Sequence, residues 1–184
     1  GFPNRFYRRA ICLADAPDGN VDALDIFRMA GGTTRTWCFH GPGHDAFDAS
    51  LDFTPTGENA LQIGRMGRDM QSNIVQPADA RSDGDVWADW AHDETDTRLR
   101  VDVLGAPGRR YLTALCAKTD IPQLRYLFAE DSAEDDASEF VSVWQPYEEA
   151  SGRFIEQIER LPIEGDAGEV EFAPVAVRVT LAGG

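Results

Sequence analysis

Apolar and polar residues alternate with a period of two in many short runs of this sequence. In the run RLRVDVL at 98–104, charged and apolar residues alternate from Arg98 to Val103, as in a strand with one buried and one solvent-exposed face. Gly, Pro, Asp and Asn bound such runs and predict turns. The predicted strands are Arg8–Leu13, Val21–Met29, Thr34–Phe39, Val86–Ala91, Arg98–Leu104, Tyr111–Ala117, Gln123–Ala129, Phe140–Trp144, Arg153–Ile163, Glu169–Phe172 and Val175–Leu181.

Short connections between strands favour antiparallel pairing. We therefore predict an all-β fold, an antiparallel multi-stranded β-sandwich of stacked-sheet, jelly-roll-like type with little helix. The 184 residues fit a single domain, 1–184. Two stretches lack a strand pattern: residues 41–85 are predicted to be mostly irregular, with short strands near Ala46–Phe53 and Ala60–Ile63, and the acidic tract Glu130–Glu139 is predicted to be a solvated hairpin loop.

Composition limits the partners of this chain. Its formal charge is −15, and it carries one lysine among 17 basic residues. An acidic surface argues against nucleic acid or an anionic membrane as a partner, because both require a cationic face. No apolar run approaches the roughly 18 residues of a membrane span. The three cysteines lack a CxxC spacing, so we expect buried, unpaired thiols rather than a disulfide framework.

The stretch Val21–Gly41, VDALDIFRMAGGTTRTWCFHG, contains two apolar runs, a Gly-Gly pair and a histidine. It predicts a strand, a tight turn at Gly31-Gly32 and a second strand that ends at His40. A histidine at a strand end can serve in acid–base chemistry or simply bond to backbone. No serine or cysteine nucleophile stands beside it in a motif, so any chemistry at His40 needs residues from elsewhere.

The same stretch, with the residues before it, resembles the β-domain of heparinase II/III-type polysaccharide lyases. The resemblance rests on an Arg-rich strand, a D-x-x-Φ-D-Φ-F-R strand, a Gly-Gly turn and an aromatic strand that ends in F-H-G, where Φ is apolar. Trp87 and Trp90, the RLRVDVLG run and FVSVWQPYE are also similar, and together these segments span about residues 7–160. The matching positions in the first string are Asp22, Asp25, Phe27, Arg28, Gly31, Gly32, Phe39, His40 and Gly41.

The resemblance implies cleavage of uronic-acid-containing polysaccharide by β-elimination, in a periplasmic or secreted enzyme. Such lyases place an α/α toroid, which holds the main catalytic residues, before the β-sandwich. This chain is therefore expected to be the C-terminal part of a longer protein, with the missing toroid and an acidic polysaccharide as its partners. By itself the chain is expected to be inactive.

The resemblance also implies roles for particular residues. His40 would assist catalysis by neutralising the substrate carboxylate, and Arg28, Arg35 and Trp37 would contact the substrate. For Arg28 the competing interpretation is an internal ion pair with Asp22 or Asp25, and for Trp37 it is a core position. None of the tyrosines stands in a motif that identifies a base.

No cofactor is required by this chemistry, but relatives hold a structural zinc, and the chain has ligand types suited to one. The candidate set is His40 (or His44), Asp52 and His92; the alternative places His44 and His92 at the surface. A different class of function also stays open: a non-catalytic carbohydrate-binding or structural packing module.

Overall fold

A computed structural model describes residues 6–16, 19–42, 46–57, 74–92, 94–118, 121–132, 137–163 and 174–182. The described residues are mainly strands, and none of their helices is long and apolar enough to cross a membrane. The strands are β1 (Phe6–Asp15), β2 (Val21–Ala30), β3 (Thr34–His40), β4 (Phe47–Ala49), β5 (Thr54–Pro55), β6 (Ile74–Arg81), β7 (Val86–Ala91), β8 (Thr97–Val103), β9 (Arg110–Lys118), β10 (Ile121–Ser132), β11 (Ala137–Glu148), β12 (Ile155–Leu161) and β13 (Ala176–Leu181).

Two antiparallel sheets pack face to face. Sheet A has the strand order β1-β2-β11-β8-β7-β4, and sheet B has the order β3-β10-β9-β6-β5. The pair β12-β13 forms a separate two-stranded sheet. The prediction of an all-β antiparallel sandwich is confirmed. Predicted strands at Glu169–Phe172 and Ala60–Ile63 lie outside the described residues.

The apolar core fills the space between the sheets. Inward side chains of sheet A, among them Phe27, Trp90 and Phe140, meet Trp37 and Leu127 of sheet B. A second apolar cluster lies on the other face of sheet B, because alternate residues of a strand point to opposite faces. Its members are Ile74, Leu112, Ala114, Cys116 and Phe128, with Tyr126 packed against them.

The antiparallel pairing that the short connection between β2 and β3 predicts is wrong. Gly31 and Gly32 have φ of 88° and 80°, a region that favours glycine, and they do make a tight turn. However, the turn carries the chain from sheet A to sheet B: β2 pairs with β1 and β11, whereas β3 pairs with β10. Short connections therefore did not produce a simple meander.

Other differences have local causes. β6 was not predicted because a register shift between Val75 and Ala78, with a φ of 53° at Gln76, breaks its period. β11 continues past Pro146, where it bonds to β8 only, since its pairing with β2 ends at Trp144; a proline is tolerated on such an unpaired side. The acidic tract is not all loop, since Glu130 and Asp131 belong to β10.

The cysteines also differ from expectation. Cys116 is buried as predicted, but Cys12 and Cys38 are exposed.

Candidate functional site

His40 is an exposed side chain at the last position of β3. Its Nδ1–H donates a hydrogen bond to the carbonyl oxygen of Gly41 at 3.1 Å. Its ring lies 4.9 Å from the ring of Tyr126, with the planes at 47°. Within the described part of the chain Nε2 has no hydrogen-bond partner, so it is the ring nitrogen that can reach a ligand.

Strand alternation and one glycine fix the position of His40. Trp37 and Phe39 stack on each other and point into the core, so His40 must point to the opposite face of sheet B. Directly after it, a Cβ on Gly41 would lie 2.1 Å from Cγ of Trp90. Trp90 is fully buried and its Nε1–H donates to the Arg125 carbonyl at 2.9 Å. Only glycine lets the chain close on this tryptophan.

Tyr126 is the neighbour of His40 that sequence reasoning missed. The two residues face each other in the β3–β10 register. Burial, followed by the nearby Cys116 and Cys38, raises the pKa of Tyr126 above its usual value, so its phenol is neutral at physiological pH. No motif marks Tyr126, because it lies 86 residues after His40 along the chain, on a strand that meets β3 only in the folded sheet.

The structure places the predicted substrate-binding residues away from a common surface. Arg28 donates from Nε to Glu139 at 2.7 Å on the neighbouring strand β11. This is the kind of internal ion pair considered above, but its partner is neither Asp22 nor Asp25. Its side chain is 23% exposed.

Arg35 and Trp37 are almost fully buried, at 2% and 1% exposure. Arg35 donates from Nε to the Ser138 hydroxyl at 2.6 Å and from Nη2 to the Ser132 carbonyl at 3.0 Å. The indole N–H of Trp37 donates to Asp25 at 3.1 Å. In this conformation neither side chain can contact a polymer, so both are assigned to the interior and not to a binding surface.

The predicted zinc ligands do not converge. His40 ends a strand of sheet B, Asp52 lies between β4 and β5, and His92 follows β7 of sheet A, where its Nδ1 accepts from the Glu94 N–H at 3.1 Å. Among the described residues no group of three or more His, Cys, Asp and Glu side chains is arranged to hold a metal ion. His44 lies outside the described residues.

Described residues line several clefts, and His40 is absent from the lining of three of them. The most cationic of these three clefts has a volume of about 610 Å³. It lies between the turn that precedes β9, at residues 105–109, and the ends of β10, β11 and β12. It is lined by Arg81, Arg109 and Arg160 together with Asp131 and Glu139. Arg109 is 1% exposed and held by Asp131 at 2.9 and 3.0 Å, whereas Arg81 is exposed and Arg160 has 42% of its side chain exposed.

Comparison with known proteins adds no assignment: no family model and no curated protein matches this chain.

Proposed function

We propose that this chain is the β-sandwich domain of a heparinase II/III-type lyase, in which His40 assists β-elimination on a uronic-acid polysaccharide. The observation that carries the proposal is the state of His40: exposed, held by Gly41 through Nδ1, and left with Nε2 for a ligand. The resemblance of the Val21–Gly41 string and the β-sandwich architecture agree with it.

The chemistry explains why such a histidine is useful. A base removes the proton next to the uronate carboxylate, the carbon–oxygen bond at the β position breaks, and its departing oxygen takes up a proton. Negative charge builds on a group that is already anionic, so a hydrogen-bond donor at the carboxylate stabilises the transition state. Nε2 of His40 supplies that donor when the ring is protonated. The base that removes the proton belongs to the partner domain.

The test of this role uses the longest natural protein that carries these residues. His40→Ala should lower turnover of uronate polymers by about 100-fold, the scale of one lost electrostatic donor, with its circular dichroism and unfolding midpoint unchanged. His92→Ala, a histidine at a strand end in the other sheet, is the matched control and should retain turnover. Unchanged turnover in His40→Ala would refute the assignment.

The isolated chain provides a second test. Mixed with uronate polymers, it should give no ultraviolet absorbance from unsaturated product. A clear signal would show that the toroid is not required.

A non-catalytic carbohydrate-binding module is the second candidate, and one observation favours it. Arg81 and Arg160 line the cleft of about 610 Å³, where Arg81 donates to the Gly108 carbonyl and Arg160 pairs with Glu139. Guanidinium groups suit forked recognition of carboxylates, and each of these two keeps further donors for a ligand. In that case Arg81→Ala with Arg160→Ala should weaken binding of uronate oligosaccharide to this chain in calorimetry, whereas His40→Ala should not. Arg178→Ala, an exposed arginine outside the cleft, is the control.

A further inference from the structure

β1 is an open sheet edge. It pairs with β2 through ten consecutive positions, from Phe6 opposite Ala30 to Asp15 opposite Val21, with no register shift. It is the first strand in the order of sheet A, so within the described part of the chain its other side has no strand partner. Natural proteins protect such an edge with charged side chains, above all lysine, or with a proline or a bulge. β1 has no lysine, proline or bulge, and its charged residues are Arg8, Arg9 and Asp15.

The face of β1 that continues the core side of sheet A is uncovered, and it is apolar apart from Arg9 and Asp15. Tyr7, Ile11 and Leu13 are 70%, 50% and 75% exposed. They are uncovered because β3 packs over β2, as the Trp37–Asp25 hydrogen bond shows, so β1 lies beyond the edge of sheet B. An edge that offers free backbone groups and apolar side chains is suited to addition of another strand.

The charges of β1 indicate which strand can pair with its open edge. Arg8 and Arg9 stand near its beginning and Asp15 at its end, so an antiparallel copy brings opposite charges together. The segment carries one net positive charge in a chain of formal charge −15, which makes it a place where two acidic copies can meet. The complementary partner is therefore a second copy of this chain.

Geometry then selects one register. Residues that face each other across an antiparallel pair lie on the same face of the sheet and are either both hydrogen-bonded or both not. When a strand pairs with a second copy of itself, this condition is met only if one residue lies directly opposite its own copy, at the two-fold axis. With Cys12 on the axis, Arg9 faces Asp15 of the second copy and Ile11 faces its Leu13. No other such register sets an arginine of β1 directly opposite Asp15.

Arg9 has a donor for this contact. Asp25 of its own chain occupies Nε and Nη2, at 2.8 and 2.9 Å, and 37% of the side chain is exposed. Among the described residues Nη1 makes no hydrogen bond, so it keeps a donor for a carboxylate outside the pair. We propose that two copies of this chain associate through antiparallel β1 strands, with Cys12 on the two-fold axis and sheet A continuous across the dimer.

Sedimentation equilibrium of the chain tests the association. A reversible monomer–dimer equilibrium is expected, and Ile11→Lys with Leu13→Lys should weaken it at least 10-fold, since like charges would then face each other across the strands. These side chains are half or more exposed, so the variant should keep the unfolding midpoint. Ile163→Lys, at a residue 43% exposed outside β1, should leave the dimer intact.

Cross-linking tests the register. A short bismaleimide should link the dimer in Cys38→Ser, where Cys12 is the one exposed cysteine among the described residues, and should fail when Cys12→Ser is added to Cys38→Ser. A chain that is monomeric at all concentrations, a dimer that survives the double lysine substitution, or a link that persists in the double serine variant would each overturn the proposal.

Discussion

Asp25 is a buried carboxylate on which three strands converge. It lies on β2 with 0% exposure, accepts two hydrogen bonds from Arg9 of β1, and accepts a third from Trp37 of β3. Arg9 also stands over the rings of Phe27 and Trp144. Because β1 and β2 belong to sheet A and β3 to sheet B, this single residue ties an edge of the sandwich together.

Removing this carboxylate should be costly. Asp25→Ala leaves a guanidinium and an indole N–H without their acceptor, and we expect a loss of about 2–3 kcal/mol in the free energy of unfolding, below that of a fully buried pair because Arg9 is 37% exposed. Urea titration measures it. Asp79→Ala removes one of two carboxylates that bind Arg110, the other being Glu130. Because this aspartate is 34% exposed, its loss should cost less than about 1 kcal/mol.

Asp22 makes stability depend on pH in the opposite sense to most carboxylates. Burial raises its pKa above 3.8, partly offset by a backbone hydrogen bond. The folded state therefore disfavours the charged carboxylate, which lowers the free energy of unfolding. This loss is complete at neutral pH, becomes smaller as the pH falls through the raised pKa, and vanishes below the pKa of the unfolded chain.

We expect Asp22→Asn to raise the free energy of unfolding at pH 7 and to lose this advantage as the pH falls towards 3.8. Denaturant titrations at several pH values measure the difference from the parent chain. Asp96→Asn, at an exposed position, should show neither effect. An advantage that grew as the pH fell would contradict the sign of the shift.

At the scale of elements, a buried side chain of the sandwich helps to hold the strand pair β12-β13, together with the ion pair between Arg160 of β12 and Glu139 of β11. Gln145 of β11 is 1% exposed, and its side-chain oxygen accepts from the backbone N–H groups of Phe154 and Ile155 at 2.6 and 2.7 Å. These residues lie at the start of β12. This one oxygen thereby satisfies two backbone N–H groups at the start of β12.

Gln145→Ala should loosen this pair more than the rest of the fold. Two buried donors lose their acceptor, at about 1–3 kcal/mol each, so amide hydrogen exchange in β12 and β13 should accelerate while the strands of sheet B keep their protection. Gln157→Ala, on the exposed face of β12, is the control. Equal acceleration throughout the chain would show that the pair does not open separately.

At the scale of the whole molecule, the central pairings join distant parts of the chain. β11 pairs with β2, as Phe140 does with Phe27, and β10 pairs with β3, as Tyr126 does with His40. Chain entropy must be lost before such contacts form, so all-β domains of this kind fold in about milliseconds to seconds. Stopped-flow tryptophan fluorescence should place refolding in that range, and microsecond refolding would contradict it.

Alternation and turn residues determined the fold class and the positions of most strands, because both are local properties of a backbone with a period of two. They also placed His40 at the end of β3, since the run Thr34–Phe39 and the glycine after His40 are adjacent in sequence.

The tertiary structure decided the rest. Which sheet each strand joins depends on pairings across as many as 121 residues, as between Ala23 and Trp144, and no local pattern encodes them. For that reason the Gly31-Gly32 turn passes between sheets, Arg35 and Trp37 are interior residues, and Tyr126 meets His40. It is also why His40 and His92 belong to no metal-binding group among the described residues. The composition of the strands predicts a sandwich of two sheets. Only the packing of the chain decides which sheet faces meet and leaves β1 as an open edge.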